Sequence, residues 1–369
     1  MLRKEGHCMA KKEALSVKVD YLSLVFDTIK AEELITNILK LSPEIFLKSS
    51  GGIKHKDYTS TYYLGEIKIV GDVEPNEKNL FGVGCYLMLG GRGCDELLQI
   101  LHTQGKDFSD LFRDCNEYVG ESNYHLTRID LAIDDRNEKP YFTIEQIKKK
   151  CEKYEFISRC SKFDFDESSF IGSTTAKTVY IGKKGSDISF RFYDKDKEVC
   201  MKKNIPYDEM KSWKRTEIQL RGKMAHNTAM LLVEGNPLGD ITFGILKQYL
   251  RFVVKDTSNE NRSKWETCDF WNRFIGAVEP LKLETVNKDT DMKDTQKWLE
   301  DKGIVSIVKG FYFLQENNAL DDLKTVQSMI YKAKYSIDFS NKLVSHLYQL
   351  DRKELIPLVY KDTKGSTTE

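Results

Sequence analysis

The chain has 369 residues, and its 57 Lys and Arg are balanced by 57 Asp and Glu, for a formal net charge of zero. That balance excludes a protein whose bulk field gathers nucleic acid, so any basic surface must be local. The length suits one large and one smaller unit, and no run of about 18 apolar residues is available to span a bilayer.

The opening residues, MLRKEGHCMAKKEA, are polar and lack an apolar export core, so 1–16 read as a loose arm. Val17–Phe26 reads as a strand and Ala31–Leu41 as an amphipathic helix. Tyr62–Val70 and Gly82–Leu89 are two more strands, and the GGRGC turn at Gly90–Cys94 leads into a helix near Asp95–His102. A strand at Leu126–Asp134 and a helix at Ile144–Tyr154 follow. The densest strand region holds Thr178–Ile181, Ile188–Tyr193 and Arg215–Arg221, with a helix from Lys195 to Lys203 between the last two. Strand–helix–strand–strand thus occurs in Val17–Leu89 and again in Leu126–Tyr193, which suggests a pseudo-repeat without sequence similarity to support it. Beyond Trp265 the spacing is helical, over Phe270–Ile275, Asp294–Leu299, Val305–Gln315 and Leu320–Tyr335. The polar connector 254–264 is the expected boundary between a domain at 17–260 and a helical part at 265–355, with a disordered tail at 356–369.

Eight cysteines show no CxxC spacing and read as reduced thiols of a cytoplasmic protein. Six histidines form no HxH or HxxxH pair, which argues against a histidine-bound metal. GGRGC lacks the lysine and serine of a nucleotide-hydrolysing loop; a tight strand–helix turn is its ordinary reading, and a phosphate cradle assisted by Arg92 the functional one. Trp265, Trp271 and Trp298 with Phe270 and Phe274 read as core rather than base-stacking platforms.

Side chains alternate along a strand, so shared faces can be read from parity. Arg128, Asp130, Ala132 and Asp134 fall on one face of their strand. Arg191 and Tyr193 share a face, as do Arg215, Glu217, Gln219 and Arg221. A half-exposed sheet laced with ion pairs would account for any one of these strands. Three in one region, rich in acids and arginines around one tyrosine, suggest chemistry. A phenol with a pKa near ~10 is a poor nucleophile unless its anion is stabilised, which Arg191 and Lys195 would do. Asp130, Asp134 and Glu217 offer hard oxygens suited to Mg²⁺ or Mn²⁺. Such a set would let tyrosine attack a DNA phosphate and keep the 5′ end as a phosphotyrosine. Arg128, Arg215, Lys183 and Lys184 are expected to touch backbone phosphates.

The succession TRIDLAID, SDISFRFYDKDKE and WKRTEIQLRG resembles the Rep_trans-type replication initiation factors, which include initiators of rolling-circle plasmids and relaxases of Gram-positive conjugative elements. VDYLSLVF, GVGCYLMLGGRGC and DTQKWLEDKGIVSIVK fit the same layout, so the likeness runs from about Val17 to Gln315. It implies that Tyr193 is the nicking nucleophile of an R-F-Y-[DE]-K motif, with metal-binding acids at Asp130, Asp134 and Glu217. It also implies origin DNA as substrate, a host helicase as partner and a homodimer. The expected fold is α+β, an antiparallel-rich curved sheet with helices on one face and a smaller C-terminal helical domain. The competing readings are a non-catalytic origin-binding protein on the same scaffold and a metal-dependent nuclease that makes no use of the tyrosine.

Overall fold

A computed structural model describes residues 15–51, 58–75, 79, 81–160, 162–168, 176–203, 210–276, 296, 304–320, 323–335 and 337–363. In chain order the strands are β1 (Ser16–Phe26), β2 (Leu47–Ser50), β3 (Tyr58–Leu64), β4 (Ile67–Val73), β5 (Cys85–Leu89) and β6 (Tyr124–Asp135). They continue with β7 (Phe156–Ser158), β8 (Phe163–Ser168), β9 (Ala176–Ile181), β10 (Ile188–Asp194), β11 (Lys214–Arg221) and β12 (Leu250–Phe252). The longer helices are α1 (Gly91–Thr103), α2 (Phe108–Val119), α3 (Ile144–Glu152), α4 (Lys195–Lys203), α5 (Gly222–Val233) and α6 (Leu238–Tyr249). After them come α7 (Asp269–Gly276), α8 (Ile304–Glu316), α9 (Val326–Lys332), α10 (Ile337–Gln349) and α11 (Ile356–Lys361). The fold is mixed α+β, and β2–β3–β4–β5, β6–β11–β10–β9–β8 and β7–β12 pair antiparallel.

The chain packs as two units, Met1–Leu22 with Leu126–Thr285 and Ser23–His125 with Val286–Glu369. In the first, the strand order is β1–β6–β11–β10–β9–β8; in the second it is β2–β3–β4–β5–β1. Both β1 to α2 and β6 to α6 run strand, helical segment, a set of strands and then two helices, with α4 inserted between β10 and β11 in the latter. The pseudo-repeat is therefore one of element order.

In the first unit the apolar face of β10 is fixed by an aromatic cluster. Phe192 packs edge-on against Phe142 (5.8 Å), Phe252 (6.0 Å) and Trp271 (6.3 Å). Trp271 and Phe274 of α7 are almost fully buried beside Phe142, so these aromatics are core. Since α7 fills the space behind β10, residues 254–264 lie inside this unit. Trp298 lies outside the described residues.

In the second unit the C-terminal helices close on the strands. The Tyr360 hydroxyl of α11 donates to the Tyr63 carbonyl of β3 at 3.1 Å. The GGRGC segment is already helical from Gly91. A Cβ on Gly93 would sit 2.7 Å from the Glu66 carbonyl oxygen, so this glycine is demanded by the close passage of α1 over the β3–β4 turn. That is a packing role, in place of the phosphate cradle.

Sequence periodicity missed α2, α5, α6, α10 and α11, the last of which lies with Ile356 and Tyr360 buried where a disordered tail was expected; the helix expected over Leu320–Tyr335 shortens to α9, capped by the Thr325 hydroxyl. The expected helix Asp294–Leu299 lies outside the described residues apart from Gln296, as do most of the N-terminal arm and the last residues of the tail. Among the described residues seven cysteines are unbridged, and no helix is long and apolar enough to cross a membrane.

Candidate active site

Register alone brings the expected residues of three strands into rows. Tyr193 of β10 faces Arg215 of β11, which faces Asp134 of β6; in the next row Arg191 faces Glu217, which faces Ala132. One row further, Ser189, Gln219 and Asp130 align. Directly opposed residues share a face, so the parity read from sequence holds in three dimensions.

The Tyr193 hydroxyl donates to Glu217 Oε1 at 2.5 Å. The Arg191 guanidinium lies 4.0 Å from the centre of the Tyr193 ring and reaches Glu217 Oε2 through Nη1 at 3.4 Å. Its Nε is buried and has no hydrogen-bond partner among the described residues. Such a donor costs about 1–3 kcal/mol of lost hydration, and it marks a group in need of an acceptor. Lys195, at the start of α4, holds its ammonium 5.5 Å from the same ring and pairs with Glu198 at 2.6 Å.

Beside this pair stands a residue that the sequence reading passed over. Asp20 of β1 accepts from Arg215 Nη1 at 2.8 Å, and its charge acts on Glu217. Its one signal in the sequence was a carboxylate interrupting an otherwise apolar strand. Burial works to raise Asp20, yet Arg215, Lys18 and Lys195 outweigh it and hold the carboxyl below its usual value. Glu217 moves the other way: burial, and then the charge of Asp20, push it up. Burial and the Glu217 charge also push the Tyr193 phenol well above its usual value, against the expectation that neighbouring cations lower it. The site as it stands therefore holds Tyr193 as a protonated phenol hydrogen-bonded to Glu217.

The other acids are engaged by arginines. Asp134 is gripped by the Arg215 fork, Nε to Oδ1 at 2.6 Å and Nη2 to Oδ2 at 2.7 Å, and also accepts the Trp213 indole N–H at 2.6 Å. Asp130 is held by the Arg128 fork, with Nε to Oδ1 at 2.8 Å. Among the described residues no three acids, histidines or cysteines converge as a metal-holding group. Asp130 and Asp134 are each taken by an arginine, while the carboxylate whose charge acts on Glu217 is Asp20.

Two further expectations shift. Tyr193 is only 2 % exposed and Arg215 3 %. The face is a desolvated charge network, and the Arg215 guanidinium ties strands together through Asp134 and Asp20. Lys183 and Lys184 are exposed on the β9–β10 turn, and Arg128 is partly exposed. Arg92 belongs to the second unit, 3.8 Å from Glu66. Tyr180 of β9 sits across from Arg191, whose guanidinium is 5.8 Å from its ring. Just past Tyr193 the backbone is anchored by Lys214, which bonds Asp194 at 2.7 Å and the fully buried Asp196 at 2.9 Å.

With this geometry in place, comparison with known proteins is informative. Residues 124–330, which hold all three site strands, match the replication initiation factor model Rep_trans. Residues 16–114 match the N-terminal domain of rolling circle replication initiation proteins. A Bacillus subtilis (strain 168) protein named "Putative DNA relaxase NicK" is 33% identical over 292 residues, covering 79% of each chain. The solved structure of a rolling circle replication initiator protein from Geobacillus stearothermophilus superposes with a TM-score of 0.60 at 28% identity, covering 73% of this chain and 98% of that one. Family model, relative and fold agree: the chain belongs to the replication initiation factor family.

Proposed function

We propose that the protein is a site-specific DNA nicking and strand-transfer enzyme, a relaxase or rolling-circle replication initiator, with Tyr193 as its nucleophile. The observation that carries this reading is the hydrogen bond from the Tyr193 hydroxyl to Glu217. A nucleophile and its proton acceptor need to be within about 2.6–3.2 Å heavy-atom reach or closer, and this pair is. As Tyr193 Oη bonds to the scissile phosphorus, its proton passes to Glu217. The P–O3′ bond breaks, and the 3′ oxygen leaves and takes a proton from water. The 5′ end stays on Tyr193 as a phosphodiester, whose retained energy allows rejoining by the reverse attack. Arg191 fits the phosphate oxygens, since its buried Nε lacks an acceptor and guanidinium forks match phosphate. Lys195, beside the same ring, adds positive charge as negative charge grows on the phosphate.

We also propose dependence on Mg²⁺ or Mn²⁺. Asp20 and Glu217, two carboxylates of this face whose charges oppose each other, suit an ion that is usually held by one or two carboxylates along with substrate phosphate. Bound there, the ion would polarise the scissile phosphate and stabilise the leaving oxygen. Origin DNA, a single-stranded or hairpin nick site, is the proposed substrate. A host helicase, a second copy of the chain and a cytoplasmic setting complete the reading, with the helical part of 265–355, apart from the buried α7, proposed to read duplex sequence. The test is nicking of a supercoiled plasmid bearing the origin. Native protein is expected to nick only with a divalent ion and to keep hold of the 5′ end. Nicking with a free 5′ phosphate would favour a hydrolytic nuclease, and binding without nicking would favour a regulatory protein.

A further inference from the structure

The polar face that carries Tyr193 does not end at Glu217. Four residues further along β11, about 13 Å at the usual strand rise, Arg221 projects on the same side, directly opposite Arg128 of β6. Like charges placed opposite each other on neighbouring strands are destabilising. The three other arginines of this face offset that cost with a carboxylate: Arg128 with Asp130, Arg191 with Glu217, Arg215 with Asp134 and Asp20. Arg221 differs. Its Nε donates to the neutral Gln219 Oε1 at 3.2 Å, and no ion pair engages it among the described residues.

The surroundings add positive charge and N–H donors. The Arg221 backbone N–H bonds the Asp187 carbonyl at 2.9 Å, which places the β9–β10 turn, with exposed Lys183 and Lys184, at this end of the sheet. α5 begins at the next residue with no side-chain cap over its first N–H groups. The half-buried guanidinium therefore has its fork unspent and faces the side on which a DNA strand would lie.

We propose that Arg221, steadied by Gln219, is a phosphate-binding residue that grips the DNA backbone to one side of the scissile phosphate. It aligns the strand along β11 and takes no part in bond breaking. The assignment rests on the reading of the protein as a DNA-nicking enzyme.

The test uses the full chain and a fluorescein-labelled (dT)20 strand, followed by anisotropy over a range of salt concentrations. Arg221→Gln is expected to weaken binding roughly tenfold, as loss of a charged hydrogen-bonded contact does. It should also lower the slope of log K against log salt by about 0.7, the value of one phosphate contact on single strands. Arg221→Lys should recover the slope but only part of the affinity, because an ammonium cannot form the fork. Arg113→Gln, on α2 and paired with Asp110, is the control and should change neither. Unchanged affinity and slope in Arg221→Gln, with native protein binding normally, would overturn the proposal and leave the nicking reading intact. Native protein that does not bind the strand would overturn both. If Arg221→Gln fails to unfold cooperatively, Arg221→Lys decides: native affinity there removes the fork.

Discussion

Each unit of this molecule carries a buried tyrosine bonded to a carboxylate with a cation against its ring, and only one of the two has the makings of a catalyst. In the second unit Tyr62 donates to Asp72 Oδ2 at 2.9 Å and Glu32 Oε1 at 3.1 Å, with Lys48 4.8 Å from the ring centre. Burial pushes its phenol up to about 12. In the first unit Tyr193 has Glu217, Arg191 and Lys195 in the corresponding roles. The local pattern is therefore a common way of satisfying a phenol inside a sheet, and by itself it says nothing of catalysis. The difference lies in what surrounds it. Asp72 is closed off by Ser60, Tyr62 and Lys48, and Lys48 is half exposed. Around Tyr193 the charge of a second carboxylate, Asp20, opposes that of Glu217, and the Arg191 Nε–H is left without an acceptor among the described residues.

The comparison can be broken most sharply by removing each hydroxyl. Tyr193→Phe should bring origin nicking to background with the fold retained, whereas Tyr62→Phe should nick like the native protein. If both lose activity, the contrast is false. Next in size, Glu217→Gln should slow nicking by about 10²–10⁴-fold, the usual worth of a positioned proton acceptor. Asp72→Asn should leave the rate alone and cost about 1–3 kcal/mol of stability in denaturant titration, because its donors lose their acceptor. EDTA should likewise stop nicking and added Mg²⁺ or Mn²⁺ restore it, with thermal unfolding of the apo protein unaltered.

Stability sharpens the contrast further. Asp134→Asn leaves the buried Arg215 without its main partner and should cost about 3–5 kcal/mol. Lys48→Met removes a half-exposed, solvent-screened partner and should cost under about 1 kcal/mol. Equal losses in the two would mean that the first unit's charges are no more desolvated than the second's.

The sequence carried the strands of the site well, because period-two alternation in TRIDLAIDD and KRTEIQLR is a direct imprint of a sheet face. It also carried the tyrosine and its flanking arginine. It did not carry partner choice. Parity places Asp130, Asp134 and Glu217 on one face but cannot say that Arg215 and Arg128 take two of them, which depends on register between strands far apart in sequence. Asp20 was hidden for the same reason, as 195 residues separate it from Arg215. The helices α5 and α6 escaped because apolar residues such as Leu231, exposed on α5, blur the contrast between their two faces. The unit boundary was invisible too: α7 belongs with β10 through Phe192 and Trp271, a contact between aromatics that any core would show.

The most direct test of the central claim is to trap the covalent product. Native protein would be incubated with Mg²⁺ and a 3′-labelled origin oligonucleotide cut within its sequence, digested with protease, and the DNA-bearing peptide mapped by mass spectrometry. The account predicts one adduct, on the tyrosine of the peptide containing Arg191–Lys195, joined to the 5′ phosphate of the downstream fragment and absent from Tyr193→Phe. An adduct on Tyr180 or Tyr62, or complete cleavage with no adduct at all, would contradict it.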